Sequence, residues 1–301
     1  MCHRSTPTHT KGAKFRLWVI IIALISLTGC SLKLTYPYMD WWLSWTVRDY
    51  VSLTRPQRQH LEIQLDRFHR WHQQTQLKQY LTFVDQLAEQ IEQPMSQQQL
   101  VDIGLDVQQL WLTSLDNLLP SIDQLFISLS DKQWQSFLTN LDQKQEEYAE
   151  PFLSIDQQER FALRQQKFTK SSKRWVGKLT QSQKRMVKDW SEDLHPIAEL
   201  NLERQTMWNQ EATLLFSQRH QLDPLIRQKK LRALIVNELD RWPEAAQQKI
   251  VQNQRKTYQL LLDIHQSLTP KQLKTLKSQL RNYRSDFHFL VQKNANLAVA
   301  H

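Results

Sequence analysis

Beyond residue 30 the chain contains only two glycines, Gly104 and Gly177, and this scarcity constrains the fold more than any other feature. Tight hairpins between strands depend on residues that accept positive φ, glycine above all. The positions are filled instead by helix formers, with 40 Gln and abundant Leu, Lys, Arg and Glu, and β-branched alternating runs are absent. Pro56, Pro94, Pro120, Pro151, Pro196, Pro224, Pro243 and Pro270 read as separators between periodic segments. Several stand in a first turn, where the missing N–H costs nothing. The pattern predicts helices near 38–50, 55–92, 97–118, 121–128, 131–149, 155–176, 181–194, 197–221, 224–241, 244–267 and 270–292. The segment 55–92 is the longest, with Leu61, Leu65, Phe68, His72, Leu77, Tyr80, Phe83, Val84, Leu87 and Ile91 recurring mostly at three- and four-residue steps. At 1.5 Å per residue it would form a rod of roughly 55 Å. The expected fold class is all-α, an elongated multi-helix bundle.

The N-terminus speaks to location. Lys11, Lys14 and Arg16 precede an apolar run from Leu17 to Leu27, followed by Thr28, Gly29, Cys30 and Ser31. This positive, apolar, small-residue order is that of a secretory signal. A helix over the run would reach only about 20 Å, short of a roughly 30 Å hydrocarbon core, so the sequence favours a cleaved signal over a permanent span. The end of the run, "LTGC", resembles a bacterial lipobox with Cys30 as the lipidated residue. The resemblance implies cleavage between Gly29 and Cys30 and acyl chains, palmitate among them, on Cys30. Ser31, standing where an inner-membrane retention signal would be Asp, points to the outer membrane, with the body facing the periplasm. The expected organisation is a signal over 1–29, a lipidated terminus and short tether over 30–37, a helical domain over 38–293 with a possible subdivision near 151 or 195, and a frayed tail over 294–301. Cleavage leaves 35 Lys and Arg against 30 Asp and Glu, a net charge of +5 instead of +9. Cys2 leaves with the signal and Cys30 is acylated, so neither a disulfide nor a free thiol is expected.

One short pattern recurs. "LTRPQ" at 53–57 returns as "LTQSQ" at 179–183 and "LTPKQ" at 268–272, with near-matches "MSQQQ" from Met95, "LSDKQ" from Leu129 and "LSIDQ" from Leu153. In each, Ser or Thr is followed three residues later by Gln. That is a capping box, in which the hydroxyl accepts the N3 amide and the Gln returns to the cap residue's own N–H. The preceding Leu or Met can staple against the fourth helical residue. At roughly 1 kcal/mol per cap, helix punctuation accounts for the pattern.

The same "LTxxQ" pattern resembles the signature of the small periplasmic helical chaperones of the Spy/CpxP type, which implies binding of unfolded or misfolded clients. A second resemblance covers most of the chain. "YPYMDWWLSWTVRDYVSLTRPQRQHLEIQLDRFHRWHQ" and "SSKRWVGKLTQSQKRMVKDWSEDL" resemble an uncharacterised family of Gram-negative outer-membrane lipoproteins, carried here by Tyr38, Asp40, Trp41, Trp45, Asp49, Tyr50 and Val51. It implies fold class and location and brings no activity.

Three groups are candidate sites. Tyr38, Trp41, Trp42 and Trp45 form an aromatic stripe at helical spacing close to the lipid. The favoured reading is packing against the long helix that follows, and the other is a seat at the bilayer interface. His69 and His72 lie three residues apart with Asp66 one turn earlier, which is compatible with a metal face. Two His and one Asp do not close a site, however, and no metal or cofactor is expected. Lys167, Lys170, Arg174 and Lys178 form a basic patch on one predicted helical face. It could attract lipopolysaccharide phosphates, cell-wall polymer or acidic client segments, although a solvated face is the favoured reading. Nucleic acid is excluded by compartment.

No Gly-rich phosphate loop, nucleophile elbow or two-His-Glu zinc helix occurs. The expectation is therefore a non-enzymatic, chaperone-like or scaffold binding module held to the membrane by its lipid, with non-native or envelope proteins as partners. The alternative is a cell-wall or envelope-maintenance enzyme or its accessory factor.

Overall fold

A computed structural model describes residues 32–236 and 239–299. The segment read as a signal, the expected cleavage site at Gly29 and the lipidation candidate Cys30 lie outside the described residues. Within them the chain is all-α, an elongated helical bundle with no strand. The helices are α1 (Leu32–Thr35), α2 (Met39–Arg48), α3 (Arg55–Gln90), α4 (Gln97–Ser128), α5 (Asp131–Leu153), α6 (Gln157–Val176), α7 (Gln181–Asp193), α8 (Ala198–Ser217), α9 (Pro224–Val236), α10 (Glu244–Gln266) and α11 (Pro270–Val299). Short 3-10 turns cover Tyr36–Tyr38 and Leu239–Arg241.

The long α3 organises the body. Its 36 residues make a rod of about 54 Å, and separate apolar clusters are strung along it. Leu61 and Leu65 join the largest core with Leu119, Phe126, Trp134, Ala212, Phe216 and Leu231, which draws in α4, α5, α8 and α9. Leu77 meets Tyr36 and Leu290 midway. Ile91, just past the helix, meets Met95, Leu262 and Leu280. The last helix, α11, runs antiparallel to α3, as the pairs Lys277–Glu92 (2.7 Å) and Arg284–Asp85 (2.6 Å) and the shared cluster of Leu290 and Leu77 show. The first described residues pack on the last helix as well, since Tyr36 shares the Leu77–Leu290 cluster.

Several boundaries differ from the sequence reading. Helix α4 runs unbroken through Pro120, where two helices were expected, and α5 continues through Pro151. A proline inside a helix costs about 3 kcal/mol. Around Pro120, the buried positions Leu115, Leu119, Asp123 and Phe126 keep one helical face in register across the proline, and burial of its apolar side chains offsets that cost. The segment read as a tether is folded: residues 32–38 are helical, and Tyr36 is only 7% exposed. The helix read as fraying after 293 continues to Val299.

The capping boxes form at Thr54/Gln57, Ser96/Gln99, Ser130/Gln133, Thr180/Gln183 and Thr269/Gln272. "LSIDQ" behaves differently. Asp156 with Glu159 makes the box that starts α6, two residues later than the Ser–Gln pair, while Ser154 ends α5 by donating to the Glu150 carbonyl. An ionised Asp accepts the N3 amide at least as well as a hydroxyl, so it takes the cap.

Four of these boxes have a second role. Gln57 and Gln133 exchange side-chain hydrogen bonds (3.2 and 2.7 Å), and each Nε2 also donates across the pair, Gln57 to the Ser128 carbonyl (2.7 Å) and Gln133 to the Ser52 carbonyl (2.8 Å). The arrangement repeats between Gln183 and Gln272 (3.1 and 2.8 Å), which donate to the carbonyls of Ser267 and Lys178. Each clasp is locally two-fold, joining the starts of two helices through the carbonyl just before the partner's leucine. One clasp sits at the start of α3. The other lies toward its far end, where His265 contacts the Ile91 carbonyl at 3.1 Å.

Candidate binding surfaces and a buried tyrosine–histidine cluster

The first 17 described residues fold back along α3 and split into two faces. Tyr36, Met39, Leu43 and Val47 point inward, where they join the midway and main cores, and Ser44 is buried with them. Tyr38, Trp41, Trp42 and Trp45 fall on the opposite face, at steps of three and four. They are 65, 66, 55 and 47% exposed, and Leu34 is 62% exposed. The favoured sequence reading, that this stripe packs against the following helix, is therefore corrected. Packing is done by the intervening residues, and a helix cannot turn two opposite faces toward the same neighbour. Beside this face, Phe289 of α11 is also exposed, with the Lys33 ammonium 5.8 Å from its ring centre.

Beneath the aromatic face lies a polar cluster. The Tyr36 hydroxyl is 2.7 Å from His72 Nδ1, and His72 Nε2 is 3.0 Å from the Tyr80 hydroxyl. His69 Nδ1 is 3.4 Å from Asp40, and its Nε2 is 3.0 Å from Gln73. Burial, reinforced by neighbouring His69, lowers the His72 pKa to about 4. Burial also lowers that of His69, against the opposing pull of Asp40. Both tyrosine hydroxyls are raised, mainly by burial. At neutral pH, His72 is thus an uncharged ring whose one N–H and one lone pair are both engaged by tyrosines. The carboxylate beside His69 is Asp40. Asp66, the expected partner, forms an ion pair with Arg70 at 2.6 Å. Among the described residues no group of three or more His, Cys, Asp or Glu gathers as a metal site.

The basic patch is only partly helical. Lys167, Lys170 and Arg174 lie on α6, but Gly177 ends the helix with φ of 76°, and Lys178 falls beyond it. The Lys167 ammonium sits 4.2 Å over the Phe152 ring and 5.6 Å over Tyr148, and the Arg174 guanidinium sits 5.6 Å over Tyr283. Lys170 and Lys178 are exposed. Two of the four cations thus stack on the protein's own rings.

Two features escaped the sequence reading. Asp123 and Arg227 form a buried two-pronged ion pair (2.5 and 2.8 Å), and the same guanidinium donates to the Arg219 and Leu222 carbonyls. An acid at an otherwise apolar step of α4 was the available signal. The second is a groove of about 300 Å³ between α8 and α9. Leu214, Leu215, Ala233 and Leu234 line it, and Glu211, Lys230 and Arg241 stand among its walls. Leu214 is 60% exposed, and Leu225 and Ile226 at the start of α9 are also exposed.

Among the described residues, no helix is long and apolar enough to cross a membrane. Searches against curated proteins and against solved structures returned no match. Residues 49–247 match the Family of unknown function (DUF6279), from the end of the aromatic segment to the start of α10, and the chain belongs to that family.

Proposed function

We propose that this protein is a lipid-anchored, periplasm-facing module of the outer membrane that binds apolar segments of non-native or envelope polypeptides and carries out no chemistry of its own. The observation that carries the reading is the groove between α8 and α9. An apolar floor with Glu211, Lys230 and Arg241 beside it suits a short extended or helical segment with one apolar face. Leu225 and Ile226 are further exposed apolar side chains in the first turn of α9. The lipobox resemblance supports the anchor, and the "LTxxQ" resemblance to Spy/CpxP-type chaperones supports the class of client. The glutamines of the "LTxxQ" copies are engaged in capping and clasping, so client contact is assigned to the groove rather than to the motif. Thr54→Ala then weakens the fold and leaves client binding intact wherever the protein is folded.

The test is suppression of aggregation of a chemically denatured client, measured well below the melting temperature. Leu214→Ser and Ala233→Asp together, both in the groove lining, should reduce protection at least several-fold while the circular dichroism spectrum stays unchanged. Protection equal to wild type by the folded double variant would sink the assignment.

A further inference from the structure

We propose that the outward face of α2 is a membrane seat, which lays the body against the interfacial region of a phospholipid bilayer. Leu34, Tyr38, Trp41, Trp42 and Trp45 present their side chains within twelve residues of one another, and all are about half or more exposed. The segment is not loosely attached. Tyr36 is hydrogen-bonded to His72, Asp40 is drawn toward His69, and Leu43 and Val47 are held in the main core. The aromatic face is therefore presented in one orientation before anything binds, which removes the ordering cost of a flexible tail.

Three observations select a lipid surface as occupant. The composition of the face is Trp and Tyr, whose rings combine an apolar body with a polar edge and concentrate at the bilayer–water boundary. The charge suits that boundary. Asp40, the acid within the stripe, is turned toward His69, whereas Lys33 stays exposed beside Leu34 and Phe289. The chain's path is the third observation. Leu32 stands two residues after Cys30, a reach of no more than about 7 Å, so an acyl group there would bring α1, and with it the exposed face that begins at Leu34, to the membrane surface. This last point rests on the lipidation proposed above, and the first two do not. A seat and an anchor act together, since one holds the protein at the membrane and the other fixes which side of the body faces away from it.

The experiment uses the chain from residue 30, which contains every described helix, made without acyl chains by Cys30→Ser. Its binding to vesicles of phosphatidylethanolamine and phosphatidylglycerol is followed by sedimentation and by tryptophan quenching with lipids brominated near the headgroup. The expected result is measurable partition with blue-shifted emission, falling by at least about tenfold in Trp41→Ser/Trp42→Ser/Trp45→Ser. The single variant Trp42→Ser serves as a milder perturbation should the triple variant misfold, and it should bind measurably less than the parent. The proposal is overturned if the parent chain does not partition, if the folded variants partition equally, or if the face instead captures a second copy of the chain. Acylation is read separately, by the mass of the mature protein from cells. A failed seat and a failed anchor are thereby distinguished.

Discussion

Deleting Gln183 separates a cap from a clasp. Gln183 is fully buried and Gln272 is 4% exposed. The Gln183 Oε1 accepts the Thr180 amide at 2.9 Å and Gln272 Nε2 at 2.8 Å, while its Nε2 donates to the Ser267 carbonyl at 3.1 Å. Gln183→Ala removes these bonds at about 1 kcal/mol each, and leaves the Ser267 carbonyl and the buried Gln272 amide short of partners, a further 1–3 kcal/mol or so. The expected loss is about 4–6 kcal/mol. Gln99→Ala is the internal control, because Gln99 makes the same return bond to its cap residue (2.8 Å) but is exposed. That substitution should cost about 1 kcal/mol or less. Urea denaturation of both variants, followed by far-ultraviolet circular dichroism, gives the comparison. In the double variant Gln183→Ala/Gln272→Ala the two losses should fall short of their sum by about 1–2 kcal/mol, since both residues serve one network. Equal losses for Gln183→Ala and Gln99→Ala would refute the clasp and return the pattern to simple helix punctuation.

Other outcomes follow from single contacts. Gly104→Ala should destabilise by about 1–2 kcal/mol even though Ala is the better helix former, because its Cβ would lie 2.6 Å from the Tyr258 hydroxyl; in a Tyr258→Phe background the same change should become neutral or stabilising, as read by thermal unfolding. The neutral form of His72 is favoured in the fold, so its contribution is present above pH about 6.5 and is lost as pH falls toward about 4. The pH profile of unfolding should show a drop of about 3 kcal/mol over that window, with a shallower drop in His72→Phe. Cys30→Ala should yield an unprocessed precursor or a released protein on fractionation, and a variant that stays in the outer membrane like wild type would end the lipoprotein reading.

What the sequence determined by itself was local. Scarce glycine, abundant helix formers and Ser/Thr–x–x–Gln pairs act within four residues, and the all-α class and five helix starts at those boxes were legible from them. Where two local signals competed, the outcome was not legible. Pro120 and Pro151 argued for breaks; at Pro120 burial on both sides of the proline overruled the local signal, and the continuation through Pro151 has no such account. The aromatic stripe shows the same division. Its helical spacing was readable, but which side of α2 turns inward depends on α3 and α11, whose packing accepts Tyr36, Met39, Leu43 and Val47 and leaves the tryptophans outside. The features that tie the body together were settled entirely by tertiary structure. Gln57 finds Gln133 across 76 residues, Gln183 finds Gln272 across 89, and Asp123 finds Arg227 across 104. Capping is decided by backbone within a single turn, whereas a clasp exists only once packing has brought two such turns into hydrogen-bond range and excluded the water that would otherwise satisfy them.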